Sequence, residues 1–279
     1  MHPIRTIAHM RATRAAMNAG AIGFVPTMGA LHAGHAALIR RARVDCAHVV
    51  VSIFVNPLQF GPGEDFERYP RTMEADVALL EKLGVDAIFS PQTLEMYPQP
   101  PQVRVDAGDP GRWLEGERRP EHFAGVAAVV LKLLHIVQPQ RAYFGRKDAQ
   151  QLAVITRIVA DLNEPVEIVA VPTVRDFDGL ALSSRNASLT SGQRRDAVRL
   201  PRALNALAQA LAGKKLDIPS AISASAREVA PLRLDYLAVV DPSDFRPLDH
   251  VAQGASLLAV GAAYAGTVRL IDNVDILIP

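Results

Sequence analysis

Pro26-Thr27-Met28-Gly29-Ala30-Leu31-His32-Ala33-Gly34-His35 decides the reading of this chain. Ahead of it, Ala21 to Pro26 is a short apolar run that reads as a strand. Behind it, Gly34 to Ala47 carries Leu38 and Ile39 on one edge and Arg40, Arg41 and Arg43 on the other, the pattern of an amphipathic helix. A strand that passes into a helix through two glycines and two histidines is a ligand loop, because ligands of open parallel sheets settle beyond the carboxyl ends of the strands. Gly29 and Gly34 let backbone approach a ligand, and the helix start offers unpaired N–H groups to phosphate. His32 and His35, three residues apart, share a face of the opening turn. A single histidine there would be read as a surface or capping residue, whereas two with interleaved glycines suit a polyphosphate. A zinc site built on the pair lacks a third ligand at a recognisable spacing.

Outward from this stretch the chain alternates strand and helix patterns. His48 to Val55 is a β-branched run typical of a strand buried on both faces, and Asn56 to Pro70 is a long irregular loop. A helix over Thr72 to Leu83 and a strand over Val85 to Ser90 complete a βαβαβ pattern. Pro91 to Glu121 is irregular. Phe123 to Val137 then reads as a buried helix, Arg141 to Phe144 as a strand, Asp148 to Leu162 as a helix and Val166 to Val171 as a strand. After about Arg175 the texture changes. Ala197, Leu200, Leu204, Leu207 and Leu211 mark one helix, followed by strand-like runs at Leu232 to Val240, Ser256 to Tyr264 and Thr267 to Asp272. The expected organisation is an α/β domain with a mostly parallel sheet over 1–174 and a smaller α+β domain over 175–279.

Composition narrows the function classes. Of 279 residues, 49% are hydrophobic and 21% charged, the usage of a globular chain. Lys and Arg number 30 against 29 Asp and Glu with no basic track, which disfavours nucleic acid as a partner. Cys46 is the only cysteine, so no internal disulfide can form and an intracellular, cytoplasmic setting is expected. The longest apolar runs, such as Val126 to Val137, fall short of the roughly 18 residues of a membrane span, and the N-terminus lacks the apolar stretch of a secretory signal.

Two further segments have phosphate-binding character. Gly145-Arg146-Lys147-Asp148 lies between a strand and a helix, where Lys147 can reach phosphate and Asp148 can cap the helix. Lys147 alone could equally be a solvated surface charge. Leu182-Ser183-Ser184-Arg185-Asn186 offers two hydroxyls and a guanidinium at the domain junction, and an ordinary serine N-cap is the alternative. Gln59 and Gln151 are uncharged bidentate groups suited to hydroxyls or a carboxylate. His122, Phe123, Arg112 and Arg118 are further polar or aromatic candidates that loop solvation or packing would also explain, and Cys46 reads as a small core residue.

Taken together, Met28 to His35, Val55-Asn56-Pro57-Leu58-Gln59-Phe60, Tyr69-Pro70-Arg71-Thr72, His122-Phe123-Ala124-Gly125-Val126, Gly145 to Asp148 with Gln150-Gln151, Leu182 to Asn186 and Arg269-Leu270-Ile271-Asp272-Asn273 resemble, in order, the pantoate–β-alanine ligase family. His-x-Gly-His alone is shared with nucleotidylyltransferases and class I aminoacyl-tRNA synthetases, and the Asn-Pro-x-Gln-Phe and Ser-Ser-Arg-Asn segments narrow it. The resemblance implies a Rossmann-like ATP- and pantoate-binding domain, a C-terminal lid domain and a homodimer. It also implies an AMP-forming ligation of pantoate to β-alanine through pantoyl adenylate, with ATP as substrate and Mg²⁺ accompanying it. By the same resemblance Met28, Gly29, Ala30, Leu31, His32, Ala33, Gly34 and His35 form the ATP loop. Gly145, Arg146, Lys147, Asp148, Val174, Leu182, Ser183, Ser184 and Arg185 complete the nucleotide site. Gln59 and Gln151 hold pantoate, with Gln59 also near β-alanine, Asp76 is a supporting carboxylate, and no protein metal ligand is assigned. His35, with His32 and Lys147, is catalytic. The family assigns the His35 position as proton donor, and electrostatic stabilisation describes it equally well. Ala33 and Arg146 depart from the residues usual at their positions, without removing a reacting group. A nucleotidylyltransferase keeping the nucleotide on its product is the alternative enzyme. A non-catalytic ATP sensor and a tRNA synthetase fit less of the motif set.

Overall fold

The computed structural model describes all residues except 18, 19, 65, 214–216, 251–255 and 278–279. The chain divides into two compact units. The first comprises 1–146 and 154–172, the second 147–153 and 173–279. A single cut after residue 174 would leave 147–153 and 173–174 with the first unit, whereas both segments cluster with the second.

The first unit runs α1 (Ile7–Ala16), β1 (Ile22–Thr27), α2 (Ala33–Asp45), β2 (His48–Ile53), α3 (Met73–Lys82), β3 (Ala87–Phe89), the single turns α4 (Thr93–Met96) and α5 (Glu115–Arg118), α6 (His122–Val137) and β4 (Arg141–Gly145). The later part of α7 (Ala149–Asp161) and β5 (Glu167–Val171) complete it. Five parallel strands form a Rossmann-like sheet in the order β3-β2-β1-β4-β5. β1 pairs with β2 on one side and with β4, reached much later in the chain, on the other. The strand order reverses there, so the loops leaving β1 and β4 start side by side at the edge where such sheets bind ligands. Val49, Val50, Val51 and Ser52 are buried because helices cover a parallel sheet on both faces. On one face Leu38, Ile39 and Ala42 of α2 and Leu80 of α3 meet Val25, Val51, Ile53 and Tyr143. Phe123, Ala127 and Leu131 of α6 pack with Val154 and Ile158 of α7.

Helix α1 has no counterpart in the sequence reading. It buries only Met10 and presents Arg, His and Ala elsewhere, so no apolar period marks it, although Thr6 caps it by accepting from His9 N. The irregular loop after β2 contains a 3₁₀ turn over Pro57–Gln59, capped by the Asn56 side chain.

The second unit contains α8 (Ser191–Ala197), α9 (Arg199–Ala212) and α10 (Ile218–Glu228), with an antiparallel sheet β6 (Arg233–Val240), β7 (Leu257–Ala265) and β8 (Val268–Ile276) in sequence order. Leu200, Leu204, Leu207 and Leu211 recur at helical spacing along α9 and pack against Leu237, Val239, Ala259, Ala263 and Leu270. Helix α10 likewise carries no apolar period that marks it in the sequence. Its interior is rich in Ser and Ala, and only tertiary packing of Ile218 and Ala221 identifies its buried face. No helix among the described residues is long and apolar enough to cross a membrane.

Candidate active site

In the first unit the loop after β1 is held from three directions. Thr27 Oγ1 donates to Ser52 O at 2.7 Å and accepts from Gly29 N at 3.2 Å, tying the strand end to β2. Asp76, reaching from α3 and 3% exposed, uses both carboxylate oxygens: Oδ2 accepts from Ala30 N at 3.0 Å, and Oδ1 from Leu31 N at 2.9 Å and Thr72 Oγ1 at 3.1 Å. An anion aimed at successive N–H groups fixes a loop that otherwise has no ladder partner. Asp76 is thus a positioning residue, a sharper role than its carboxylate suggested.

His32 then caps α2, and the cap is reciprocal. His32 Nδ1 accepts from Gly34 N at 3.1 Å, and His35 Nδ1 accepts from His32 N at 3.2 Å. The rings lie 4.2 Å apart between centroids, inclined at 49°. Because each Nδ1 faces a backbone donor, its lone pair is engaged and the ring proton sits on Nε2. Both imidazoles are therefore neutral Nε2–H donors in this geometry. A Cβ on Gly34 would lie 2.8 Å from His32 Cε1 and 2.9 Å from Nδ1, so a side chain there would have to displace the His32 ring.

Gln59 is brought to the same loop. Its Nε2 donates to Met28 Sδ at 3.2 Å and its Oε1 accepts from Asn56 Nδ2 at 3.2 Å. Buried Asn56 also donates to Gly125 O at 3.1 Å and accepts from Tyr97 OH at 3.0 Å. Burial pushes the Tyr97 phenol up to about 12, so it serves as a neutral donor. Gly145 ends β4 opposite Val171, and Arg146 opens the 3₁₀ turn that follows.

The second unit carries the remaining candidates. Lys147, mostly buried, lies 3.3 Å from Asp148 Oδ1, and its main-chain carbonyl accepts from Asn273 Nδ2 on β8 at 2.9 Å. Gln151 sits in the first turn of α7, half-buried. Val174 O accepts from Leu182 N at 3.0 Å, and Arg175 bridges Ala181 in antiparallel fashion, so the turn between them sets Leu182 beside Val174. Arg194 secures that turn by binding Asp176 and Asp178 at 2.6 Å each. Arg175 forms a bidentate pair with Asp272 at 2.7 and 2.9 Å and also donates to Gly179 O. The Asp272-Asn273 dipeptide of β8 thus anchors both the lysine segment and the hairpin. Ser183 Oγ accepts from Arg185 N at 3.3 Å, capping the 3₁₀ turn Ser184–Ser188, so the N-cap reading of that serine applies. Its hydroxyl hydrogen remains a donor in this arrangement.

Asn56, Arg175 and Asn273 are supporting residues whose roles sequence reasoning did not assign, since buried polar groups bonded to backbone from distant segments leave no local spacing signal. Among the described residues no three His, Cys, Asp or Glu side chains stand together as a metal cage, and both Asp76 oxygens are engaged by donors.

The family model described as Pantoate-beta-alanine ligase matches residues 2–275. A pantothenate synthetase from Acidothermus cellulolyticus is 55% identical over 275 residues, covering 96% of this chain and 89% of the relative. A pantothenate synthetase structure from Thermus thermophilus is 49% identical and superposes with a TM-score of 0.92 over 100% of both chains. The pantoate-beta-alanine ligase of Francisella tularensis, solved in complex with beta-gamma ATP and beta-alanine, is 34% identical with a TM-score of 0.81 over 99% of this chain and 97% of that one. With a family model matched over almost its whole length and a relative this similar, the chain belongs to the pantoate–β-alanine ligase family and is an ATP-dependent ligase.

Proposed function

We propose that this ligase joins pantoate to β-alanine in two steps. A pantoate carboxylate oxygen attacks the α-phosphorus of ATP, the bond to the β-phosphate oxygen breaks, and pyrophosphate leaves with that electron pair. The amine of β-alanine then attacks the acyl carbon of pantoyl adenylate, AMP leaves, and the amine proton is lost. A carboxylate needs this activation because its own oxygen is a poor leaving group.

The observation that carries the reading is the imidazole capping box at the start of α2. Two Nε2–H donors on a helix N-terminus suit phosphoryl oxygens on which negative charge builds in the transition state. With Nδ1 occupied by a backbone N–H, His35 would become an imidazolate if it gave up its Nε2 proton. It therefore acts as a hydrogen-bond donor that stabilises charge rather than as a proton donor. Lys147, Ser183, Ser184 and Arg185 supply the remaining charge and donors for the triphosphate, with Gly145 and Val174 contacting the nucleotide through backbone, and Gln59 and Gln151 orient pantoate. Mg²⁺ arrives with ATP, held by phosphate oxygens and water, since the ion retains several waters in such sites. The second unit acts as a lid over ATP, and the working enzyme is a cytoplasmic homodimer. Small-angle scattering with unchanged dimensions on ATP addition would count against closure, and a monomeric mass by light scattering against the dimer.

The deciding experiment is pyrophosphate–ATP exchange with purified enzyme, with and without pantoate, followed by addition of β-alanine. Pantoate-dependent exchange with AMP appearing only after the amine establishes the sequence of steps. Exchange that ignores pantoate would transfer the reading to a nucleotidylyltransferase. In the same assay His35→Ala should lose exchange about 10²-fold or more while ATP binding changes little, and equal loss of both would make His35 a binding residue.

A further inference from the structure

The turn that leads into α6 contains a polar cluster to which the ligation mechanism assigns no part. His122 Nδ1 lies 2.8 Å from the main-chain oxygen of Gln59, and Arg119 Nη2 donates to the same oxygen at 3.3 Å. Arg119 Nη1 also lies 3.2 Å from His122 Nε2. Its Nε and Nη2 bind Glu64 Oε1 and Oε2 at 2.7 and 2.5 Å, so the arginine reaches the loop after β2 at two points, Gln59 and Glu64. A guanidinium has no acceptor, so His122 Nε2 must accept and the proton must lie on Nδ1, directed at the Gln59 carbonyl. Burial first, and then the Arg119 charge, push the His122 imidazole down to about 4, which keeps it in this neutral form.

The other end of the same residue is held by α6 too. A Cβ on Gly125 would fall 2.2 Å from Leu58 O and 2.7 Å from Gln59 N, so the helix backbone lies directly against that peptide. Gly125 O accepts from Asn56 Nδ2, and the same amide group donates to Gln59 Oε1. Main chain and side chain of Gln59 are thus both referenced to the first turn of α6. A glutamine side chain loses rotamer freedom when ordered, and a carrier fixed before substrate arrives meets part of that cost in advance.

We propose that Arg119 and His122 are positioning residues for substrate recognition: by gripping the Gln59 carbonyl they aim its side-chain amide at the acid substrate. The proposal rests on the reading of Gln59 as the pantoate-binding amide. Its consequence is selective, because the affinity for the acid depends on the grip and the affinity for ATP does not.

The test uses the full-length enzyme and three variants. Asparagine carries its amide nitrogen on Cγ, where the imidazole carries Nδ1, while glutamine extends it to the neighbourhood of Nε2. His122→Ala and His122→Gln should raise KM for pantoate about tenfold or more with KM for ATP within twofold, and His122→Asn should return KM for pantoate to within about threefold of the parent. Hydrogen–deuterium exchange of the peptide spanning residues 56–60, without substrate, should rise in the alanine and glutamine variants and not in the asparagine one. An unchanged pantoate KM in His122→Ala, equal rises in both KM values, or an asparagine variant as impaired as alanine overturns the proposal. Should His122→Ala fail to fold, Arg119→Lys keeps the charge opposite Glu64 but loses the planar fork, and the same split is required of it. A parent enzyme with no pantoate-dependent exchange refutes the functional reading instead, and deuterium exchange still decides whether the grip exists.

Discussion

Replacing Gly34 by alanine separates catalysis from folding at the imidazole capping box. The new Cβ would stand 2.8 Å from His32 Cε1, and ordinary contact begins near 3.4 Å, so the ring must swing by about 0.6 Å. That movement weakens the bond from Gly34 N to His32 Nδ1, worth about 1 kcal/mol net. Alanine offsets it, because it is favoured over glycine by up to about 1 kcal/mol within a helix. Net stability should therefore change by about 1 kcal/mol or less. Catalysis has no such offset. The Nε2 donor moves with the ring, and loss of one preorganised donor costs about 10²-fold in rate, equivalent to about 2.7 kcal/mol of transition-state stabilisation. Pyrophosphate–ATP exchange should fall about 10²-fold while the thermal midpoint shifts by a few degrees and calorimetric ATP affinity falls less than exchange does. Undiminished exchange would refute the claim that ring placement matters. A collapse in stability equal to the loss of activity would refute the separation of the two.

Asp76→Asn presents an amide where two loop N–H groups need acceptors, and leaving one unsatisfied costs about 1–3 kcal/mol. Exchange should drop at least about tenfold, and parental activity would show that the loop holds its shape without the anion. Asp272→Asn breaks the bidentate pair with Arg175. Because Arg175 is 30% exposed, the expected loss is about 3 kcal/mol, at the low end for a buried pair, together with a raised KM for ATP as the neighbouring Asn273 releases the Lys147 carbonyl. Denaturant melts matching the parent would contradict it. Since the folded enzyme keeps His122 unprotonated down to about 4 while the unfolded chain protonates near 6.5, stability should be lost as pH falls from about 6.5 to 4, by about 3 kcal/mol at most. Burial opposes ionisation of Glu64, yet Arg119 holds its carboxyl below the usual value, so its contribution is present above about 4.5 and disappears below that. Melts of His122→Asn should be flatter between pH 6.5 and 4, and an identical slope would exclude the histidine as the source.

The Met28 to His35 stretch could be read from the chain because its meaning is local: a strand end, a helix start, and glycines where backbone must come close. The parallel strands were legible for a related reason, since burial on both faces leaves continuous apolar runs such as Val49 to Val51. Helices α1 and α10 were not, as one buries a single methionine and the other is built from small residues whose inward face only packing defines. The supporting polar groups were equally hidden. Asp76 meets the loop after β1 from 45 residues away, Asn273 reaches Lys147 across 126, and Arg119 meets the Gln59 carbonyl across 60.

Sequence by itself determined the fold class, the family and the position of the glycine- and histidine-rich loop after β1, because hydrophobic period, turn chemistry and colinear motifs are written in neighbouring residues. Tertiary structure alone decided which nitrogen of His32, His35 and His122 carries the proton, which buried carboxylates and amides hold the loops, and which unit receives residues 147–153. Those properties depend on which backbone donors and acceptors a side chain meets after folding, and chain spacing does not encode that encounter.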